Sequence, residues 1–133
     1  MTTKQLVFVG TSLIATCIFL TSRGAAAAPQ QGRVVRLAEL TIDPSQLVAY
    51  KTALKEEIET SVRVEPGVFT LYAVSIKDHP DQIRIFEVYR DDAAYHSHLQ
   101  TPHFKKYKSL TEGMVKSLTL VETDPILLGS KSD

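Results

Sequence analysis

Three of the four histidines in this 133-residue chain lie in one stretch of fifteen residues, AAYHSHLQTPHFKKY, among three aromatic rings. In chain order these side chains are Tyr95, His96, His98, His103, Phe104 and Tyr107. The unperturbed pKa of imidazole, about 6.5, lies close to neutral pH, so histidine suits both proton transfer and metal binding. The same residues would also suit an ordinary core. Which role applies depends on which side chains share a face.

A short helix is predicted to run from the Asp91-Asp92 cap to Leu99. Helical spacing places on one face Ala94, Tyr95, His98 and Leu99. His96 lies well round from that face and is predicted to be exposed. We therefore expect His98 to be the histidine that points inward.

The next helix is predicted to follow Thr101-Pro102, because threonine suits the N-cap and proline the first helical position. Its inward stripe is predicted to hold Phe104, Tyr107, Leu110 and Met114. His103 lies at the helix start, where its side chain either reaches the pocket or lies on the surface. The sequence leaves both positions open.

The elements that must position these side chains follow the order β-α-β-β-α-β. Segments rich in β-branched and aliphatic residues predict four strands, at Arg33–Ile42, Val68–Ile76, Ile83–Arg90 and Lys116–Thr123. After the Asp43-Pro44 cap, a helix is predicted to bury Leu47, Tyr50, Leu54 and Ile58. This order predicts an α+β, ferredoxin-like fold, with one antiparallel sheet and helices on one face only. The other face needs cover, which a second copy of the chain would supply.

A polar turn, Lys77 to Gln82, is predicted to join the second and third strands into a hairpin. Alternation along the third strand puts on one side Ile83, Ile85, Glu87 and Tyr89. Glu87 therefore shares a face with apolar and aromatic residues. Either it is solvated or ion-paired on a half-exposed sheet, or it lines an apolar pocket where burial would raise its pKa.

The first thirty residues have a different character. Lys4 precedes an uncharged apolar run, LVFVGTSLIATCIFL, which is followed by TSRGAAAAPQ. This pattern is typical of a secretory signal peptide, and we expect cleavage after Ala27 and export to the periplasm or the outside. The apolar run is shorter than the roughly twenty residues that span a bilayer, although an uncleaved anchor stays an alternative.

Cleavage would leave a linker at residues 28–32, a domain at residues 33–125 and a C-terminal tail at residues 126–133. It would remove Lys4 and Arg23 and no acid, so 15 basic residues become 13 against 15 acidic ones, a net charge of −2. It would also remove Cys17, the only cysteine, so the exported domain would have no disulfide. We expect no membrane association after cleavage.

Several classes of site are disfavoured by the sequence. His98 and His103 are five residues apart across a proline, which is not the i, i+4 pairing of a helical metal site, so no metal is expected. No serine lies in a G-x-S-x-G elbow, and no Gly-rich phosphate loop occurs. The balanced charge gives no electrostatic reason to expect nucleic-acid binding. An imidazole, several phenols, a carboxylate and an apolar cavity remain.

Four motifs carry a wider resemblance, and they are Glu65-Pro66-Gly67, Phe86-Glu87-Val88-Tyr89, Ala94-Tyr95 to His98, and Thr101-Pro102-His103-Phe104. With these motifs the chain resembles the antibiotic biosynthesis monooxygenase family, and in particular its quinol-monooxygenase-like members. The resemblance spans Arg33 to about Pro125. It implies a homodimeric α+β barrel in which two ferredoxin-like sheets close face to face.

The family includes cofactor-independent oxygenases of phenols and quinols, haem-degrading enzymes and an isomerase of a signalling sugar. The haem-degrading members rely on a tryptophan and an asparagine, and this chain contains neither. The sugar-phosphate isomerase is cytosolic, whereas this chain is expected to be exported. The resemblance therefore implies a monooxygenase that oxidises a small quinol or phenol with O₂ and needs no flavin, haem or metal.

In such a reaction His98 would accept the hydroxyl proton of the substrate, with Glu87 as the second catalytic group. The side chains expected to bind the substrate are Tyr72, Tyr89, Tyr95, His103 and Phe104. Two alternatives stay open. One is a non-catalytic, small-ligand-binding or stress-related dimeric barrel, and the other is an enol or sugar isomerase that uses the same acid–base residues.

Overall fold

A computed structural model describes residues 32–131 of the protein. The predicted signal peptide, residues 1–27, lies outside the described residues, as do residues 28–31 of the linker and the last two residues of the tail. Within residues 32–131, no helix has the length and apolar character needed to cross a membrane.

The described chain forms four strands and three α-helices, and their order confirms the predicted α+β, ferredoxin-like arrangement. The strands are β1 (Val34–Ile42), β2 (Val68–Ile76), β3 (His79–Tyr89) and β4 (Val115–Thr123). The helices are α1 (Leu47–Val64), α2 (Asp92–His98) and α3 (Pro102–Thr111). A 3₁₀ turn at Pro44–Gln46 precedes α1.

The four strands form one antiparallel sheet in the order β2-β3-β1-β4. In the register of the sheet, Ala38 of β1 lies between Ile85 of β3 and Leu120 of β4. These side chains share the face that the helices cover, where the core packs against Tyr50 and Tyr107. The cavity described below lies between this face and the helices.

Local signals explain where the first helix begins. The Asp43 side chain accepts a hydrogen bond from the backbone N–H of Ser45 at 2.9 Å, so the predicted cap serves the 3₁₀ turn, not α1 itself. The inward face of α1 contains Tyr50 and Leu54, as predicted. It also contains two buried polar residues, Glu57 and Ser61, on the same stripe.

Two local predictions were wrong. The turn between β2 and β3 contains only Lys77 and Asp78, so β3 begins at His79 and not at Ile83. A two-residue hairpin turn needs a positive φ, and Asp78 supplies it with φ 67°. In α3 the expected inward Leu110 is half exposed, and Thr111 is buried with its hydroxyl donating to the carbonyl of Tyr107.

The opposite face of the sheet carries exposed apolar side chains. They include Tyr72, Val74, Phe86 and Val121. Tyr72 pairs with Phe86 across β2 and β3, whereas the cavity side of the same two strands carries Leu71 and Glu87. This face is where the sequence predicted that a second copy would pack.

Candidate active site

A cavity of about 300 Å³ lies between the helices and the sheet. Its floor is apolar, with Ala38, Leu40 and Ile85 from the sheet. Its polar groups come from a few side chains, and these include His98, Glu57 and Glu87. A wider groove of about 680 Å³ runs between α1 and the edge strand β2, but its lining contains no histidine and it is open along one side. The smaller cavity is therefore the candidate site.

His98 lies at the wall of this cavity, as the helical spacing of α2 predicted. The residue is only 3% exposed. Its ring lies between those of Tyr89 and Phe104, at centroid distances of 5.4 Å and 4.6 Å. These contacts fix the orientation of the imidazole while its edge remains at the cavity.

The position of α2 depends on a close contact at its first turn. Asp91 caps the helix by accepting a hydrogen bond from the N–H of Ala94 at 2.7 Å. Gly67 lies directly against Ala94, and a Cβ at position 67 would come closer than 3.0 Å to the Cβ of Ala94. Glycine at position 67 therefore lets α2 approach the start of β2 closely enough to bring His98 to the cavity.

Glu65 joins two of the three clustered histidines. One of its carboxylate oxygens lies 3.0 Å from Nδ1 of His98 and 2.6 Å from Nε2 of His103. Burial alone would raise the pKa of Glu65, but the hydrogen bonds from His103 and His98 outweigh it and hold the pKa below its usual range. Glu65 is therefore ionised near neutral pH, and it accepts a hydrogen bond from each ring.

This contact assigns the tautomer of His98. Because the ionised Glu65 can only accept, the neutral His98 ring carries its proton on Nδ1 and has a free lone pair on Nε2. Nε2 lies 3.7 Å from a carboxylate oxygen of Glu57, too far for a hydrogen bond. Among residues 32–131, Nε2 has no hydrogen-bond partner, so it is the ring atom that can accept a proton from a bound molecule.

Glu57 is a buried acid that the sequence analysis missed. Its carboxylate accepts a hydrogen bond from the Ser61 hydroxyl at 2.7 Å. Burial raises the pKa of Glu57, and this hydrogen bond opposes the rise only in part. The signal was present in the sequence, because Glu57 and Ser61 continue the helical steps of Tyr50 and Leu54.

Glu87 also lines the cavity, beside Ile85 and Tyr89, which lie on the same face of β3. It accepts a hydrogen bond from the Tyr89 hydroxyl at 3.0 Å. Burial raises the pKa of the Glu87 carboxyl, and the bond from Tyr89 opposes this only in part. Burial and the adjacent Glu87 raise the pKa of Tyr89 far above its ordinary value, so this phenol stays protonated.

Tyr95 and Phe104 complete the aromatic wall. The Tyr95 hydroxyl accepts a hydrogen bond from Nη1 of Arg36 at 3.1 Å, and the guanidinium lies 4.1 Å from the Tyr95 ring centre. Arg36 also pairs with Glu122 at 2.7 Å. Arg36 thus occupies the polar end of Tyr95, and the ring contributes an apolar surface to the cavity.

Two predicted substrate-binding residues lie elsewhere. Tyr72 is 69% exposed on the sheet face away from His98, because β2 presents Leu71 to the cavity. His103 is not among the residues that line the cavity, and its side chain contacts Glu65 instead. Within one subunit, therefore, neither side chain lies at the cavity. Tyr89, Tyr95, Phe104, Glu87 and His98 do line the same cavity.

The structure also brings together possible metal ligands that the sequence spacing did not reveal. Glu65, His98 and His103 each offer one ligand atom, and these three atoms lie within 4.8 Å of one another. The spacing of the two histidines along the chain does not indicate this cluster, because its carboxylate comes from Glu65 at the C-terminal end of α1. At its cavity edge, by contrast, the site offers an imidazole lone pair and the carboxyls of Glu57 and Glu87 to a small, mostly apolar molecule.

Comparison with known proteins identifies the family to which the chain is similar. Residues 33–110 match the family model described as antibiotic biosynthesis monooxygenase. No curated protein matches the chain.

A solved structure from Bacteroides thetaiotaomicron, provisionally named an antibiotic biosynthesis monooxygenase, is 49% identical over 78% of this chain and 99% of that one, with a TM-score of 0.75. A provisional monooxygenase from Lactobacillus acidophilus is 35% identical over 67% of this chain and has a TM-score of 0.66. This chain spans 42% of that longer protein. A protein from Nitrosomonas europaea is 19% identical over 71% of this chain and 99% of that one, with a TM-score of 0.67, and shows the shared fold alone.

The matched residues include Glu65, Gly67, Glu87, His98 and His103, which form or support the cavity wall. The match covers more than half of the chain, and the Bacteroides structure is similar over nearly its whole length. The chain therefore belongs to the antibiotic biosynthesis monooxygenase family.

Proposed function

We propose that this protein is a cofactor-independent monooxygenase that oxidises a small quinol or phenol with O₂. The observation that carries the proposal is the free Nε2 of His98 at the wall of a mostly apolar and aromatic cavity. The cavity volume of about 300 Å³ lies at the small end of ligand pockets, which suits a molecule of one or two rings. Membership of a monooxygenase family supports the reaction class.

The first step is proton transfer. The substrate hydroxyl binds against Nε2 of His98 and gives up its proton to that atom. The ring then carries a proton on each nitrogen, and the ionised Glu65 at 3.0 Å from Nδ1 stabilises the resulting positive charge. Histidine is well matched to this transfer close to neutral pH, because imidazole both accepts and releases a proton readily there.

The second step uses the substrate anion as the reductant. The anion passes one electron to O₂, and the substrate radical and superoxide then couple to form a peroxide on a ring carbon. The O–O bond breaks as that carbon loses its hydrogen, so one oxygen atom stays as a quinone carbonyl and the other leaves as water. The electrons come entirely from the substrate, and the apolar wall limits access of bulk water to the anion.

Glu87 and Glu57 assist through their raised pKa values. A carboxyl group that is protonated more readily than usual can donate a hydrogen bond to a substrate oxygen or return a proton to the departing water. Tyr89 holds Glu87 in place through its hydroxyl. Tyr95 and Phe104 supply ring surfaces against which an aromatic substrate packs.

The protein is proposed to act as a homodimer. The sheet face opposite the cavity exposes the apolar side chains of Tyr72, Val74, Phe86 and Val121. Closing two such faces would remove this surface from water, and the predicted barrel requires the same contact. Light scattering should give twice the chain mass, and Val74→Lys should reduce it to the mass of one chain. A monomeric parent protein would refute the proposal.

The protein is also proposed to be exported. The charge, the apolar run and the Ala-x-Ala sequence that ends at Ala27 support this. In a bacterial host that expresses the complete chain, the protein should appear outside the cytoplasm and begin at residue 28. A product that retains residue 1 would instead favour an anchor or an unprocessed leader.

Oxygen consumption with a panel of hydroquinones and phenols tests the reaction. The purified protein is first treated with a chelator and assayed without added cofactor. We expect oxidation above the uncatalysed rate, and a His98→Gln variant slowed by about 100-fold or more because it lacks the base. His96→Gln is the matched control, because His96 is exposed on the same helix and pairs with Asp92.

Each other outcome points to a different function. A His98→Gln variant as fast as the parent would remove His98 from the mechanism. Binding of quinols without oxygen consumption would favour the non-catalytic ligand-binding protein. Product formation in the absence of O₂ would favour an isomerase that uses the same acid–base residues.

A further inference from the structure

We propose that Glu65, His98 and His103 form a binding site for a divalent transition-metal ion, and that an ion bound there stops His98 from accepting the proton of the substrate. The binding site follows from the side-chain geometry alone. The effect on His98 rests on the proposed function. The ion is an inhibitor in this scheme and takes no part in the oxidation.

Three elements supply the ligands. Glu65 follows the last residue of α1, His98 ends α2, and His103 lies in the first turn of α3. The donor atoms nearest one another are Oε1 of Glu65, Nδ1 of His98 and Nε2 of His103. One ligand atom from each of the three residues lies within 4.8 Å of the other two. Because the donors come from three different elements, the site cannot be recognised from residue spacing along any one helix.

The present distances are close to those that an ion requires. Metal–ligand bonds of about 2.0–2.1 Å in tetrahedral geometry separate neighbouring ligand atoms by about 3.3 Å. The Glu65 oxygen lies 3.0 Å from Nδ1 of His98 and 2.6 Å from Nε2 of His103. Small side-chain rotations would open both distances, and the ion would replace the two protons that now bridge the carboxylate to the rings.

The donor set selects the kind of ion. Two imidazoles and one carboxylate are the protein ligands of many zinc sites, which leave a fourth position for water. Magnesium and calcium prefer oxygen ligands, and this site offers only one carboxylate. Zinc and cobalt should therefore bind, and magnesium should not compete with them.

An ion can reach the site without passing through the cavity. The side chains of His103 and Glu65 are 19% and 11% exposed, whereas that of His98 is 4% exposed. His103 also borders a small recess whose lining shares only Glu57 and Tyr107 with that of the cavity. The entry route therefore lies on the His103 side, and a bound substrate would not block it.

Metal binding would reverse the tautomer of His98. A bond from Nδ1 to the ion needs the lone pair on that atom, so the neutral ring would carry its proton on Nε2. Nε2 then faces the cavity as a donor, 3.7 Å from the buried Glu57 carboxylate. A nitrogen that already carries a proton cannot take one from the substrate, so oxidation should stop.

Cobalt binding tests the site without any assay of turnover. Co²⁺ added to the chelator-treated protein should give the visible absorption of a four-coordinate ion, with one ion per chain, and Zn²⁺ but not Mg²⁺ should displace it. Glu65→Gln and His103→Ala should each weaken binding by about 100-fold, since each removes a ligand. His96→Ala, which removes an exposed histidine of α2, should bind as the parent does.

Specific results would overturn the proposal. The site is refuted if cobalt gives no four-coordinate spectrum with the parent protein, whether or not the variants fold. It is also refuted if His96→Ala lowers affinity as much as His103→Ala does, because the ion would then be on the surface of α2.

The effect on the reaction has a separate readout. Zn²⁺ should inhibit quinol oxidation by the parent protein at the concentration that displaces cobalt, and a chelator should restore the rate. Ion binding with an unchanged rate would overturn the inhibition and leave the site. A protein that binds cobalt but oxidises no quinol would overturn the proposed function instead, so the two failures are distinguishable.

Discussion

Replacement of Gly67 by alanine should destabilise the protein through one atomic contact. The added methyl group would lie closer than 3.0 Å to the Cβ of Ala94 and 3.4 Å from its Cα. Both groups are fixed to the backbone, so no side-chain rotation can relieve the overlap. Either the turn before β2 or the start of α2 must move, although the Gly67 carbonyl accepts a hydrogen bond from the N–H of Arg90 at 2.8 Å.

The magnitude follows from two opposing effects. Overpacking of a buried contact costs about 1–3 kcal/mol. Replacing a glycine also restricts the unfolded chain, which returns about 0.4–1 kcal/mol. The net loss in the free energy of unfolding is therefore about 1–2 kcal/mol, and a Tm decrease of roughly 5–15 °C is expected for a domain of this size.

Urea and thermal unfolding followed by circular dichroism would measure this loss. Gly113→Ala is the matched control, because a Cβ there meets nothing within 4 Å. Its stability should stay within about 0.5 kcal/mol of the parent. A Gly67→Ala variant as stable as the control would refute the close contact.

A double-mutant cycle separates this contact from general damage. Ala94→Gly removes the opposing methyl group and alone costs about 1 kcal/mol, because it puts glycine in a helix. The Gly67→Ala/Ala94→Gly pair should be more stable than the sum of the single effects predicts, by about 0.5–3 kcal/mol. Strict additivity would show that the methyl groups do not meet, and the account of how α2 is positioned would fail.

Three further predictions concern buried polar groups, and denaturant unfolding measures each. The pKa of Glu65 is held below its ordinary value of 4.5, so its contribution to stability is present above that pH and disappears as the pH falls through the lower folded-state pKa. Glu65→Gln should lack this acid dependence, and an unchanged dependence in the variant would contradict the prediction. Burial raises the pKa of Glu87, so ionisation of this group weakens the fold as the pH rises; Glu87→Gln should gain stability relative to the parent at neutral pH and lose the advantage in acid. Tyr107→Phe should lower the free energy of unfolding by about 1–2 kcal/mol, because the buried Tyr50 hydroxyl loses its hydrogen-bond partner at 2.7 Å. Replacing both tyrosines by phenylalanine should recover part of this loss, and an equal or greater loss in the double variant would contradict the prediction.

Much of the fold could be predicted because its signals are local. The residues of β2, Val68 to Ile76, are rich in β-branched, aliphatic and aromatic side chains and end at turn residues, and the strand has the predicted bounds. The inward position of His98 follows from its spacing to Ala94 on a helix whose cap could be recognised at Asp91. Such features depend on neighbours within about one turn or one strand.

The parts that failed depend on contacts between distant residues. In the sequence, Glu65 is only the first residue of the Glu65-Pro66-Gly67 motif, and its contact with His98 joins residues 33 positions apart. Periodicity gives the direction of a side chain but does not identify the group that it meets. The burial of Glu57 is hard to predict for another reason. Its helical position indicates burial, whereas its charge suggests exposure to solvent.

A strand irregularity places Tyr72 on the face of the sheet away from the cavity. The pairing of β2 with β3 shifts between Val68 and Thr70, so Tyr72 pairs with Phe86 and not with a cavity residue. A shift of one residue moves every later side chain to the other face of the sheet. The bulge can be recognised only once the partner strand is known.

The arrangement at His98 links chemistry inside the cavity to a residue outside its lining. The apolar floor and the rings of Tyr95 and Phe104 determine what fits, but they do not determine which nitrogen of His98 is free. Glu65 determines that, because it accepts the Nδ1 proton and so leaves Nε2 with a lone pair. It also holds His103, which gives ions in solvent a path to the same oxygen. In the proposed scheme, the Nδ1–H group of His98 and a metal ion therefore compete for the carboxylate of Glu65. When Glu65 accepts the Nδ1 proton, His98 can act as a base in the cavity, and when an ion is bound there it cannot.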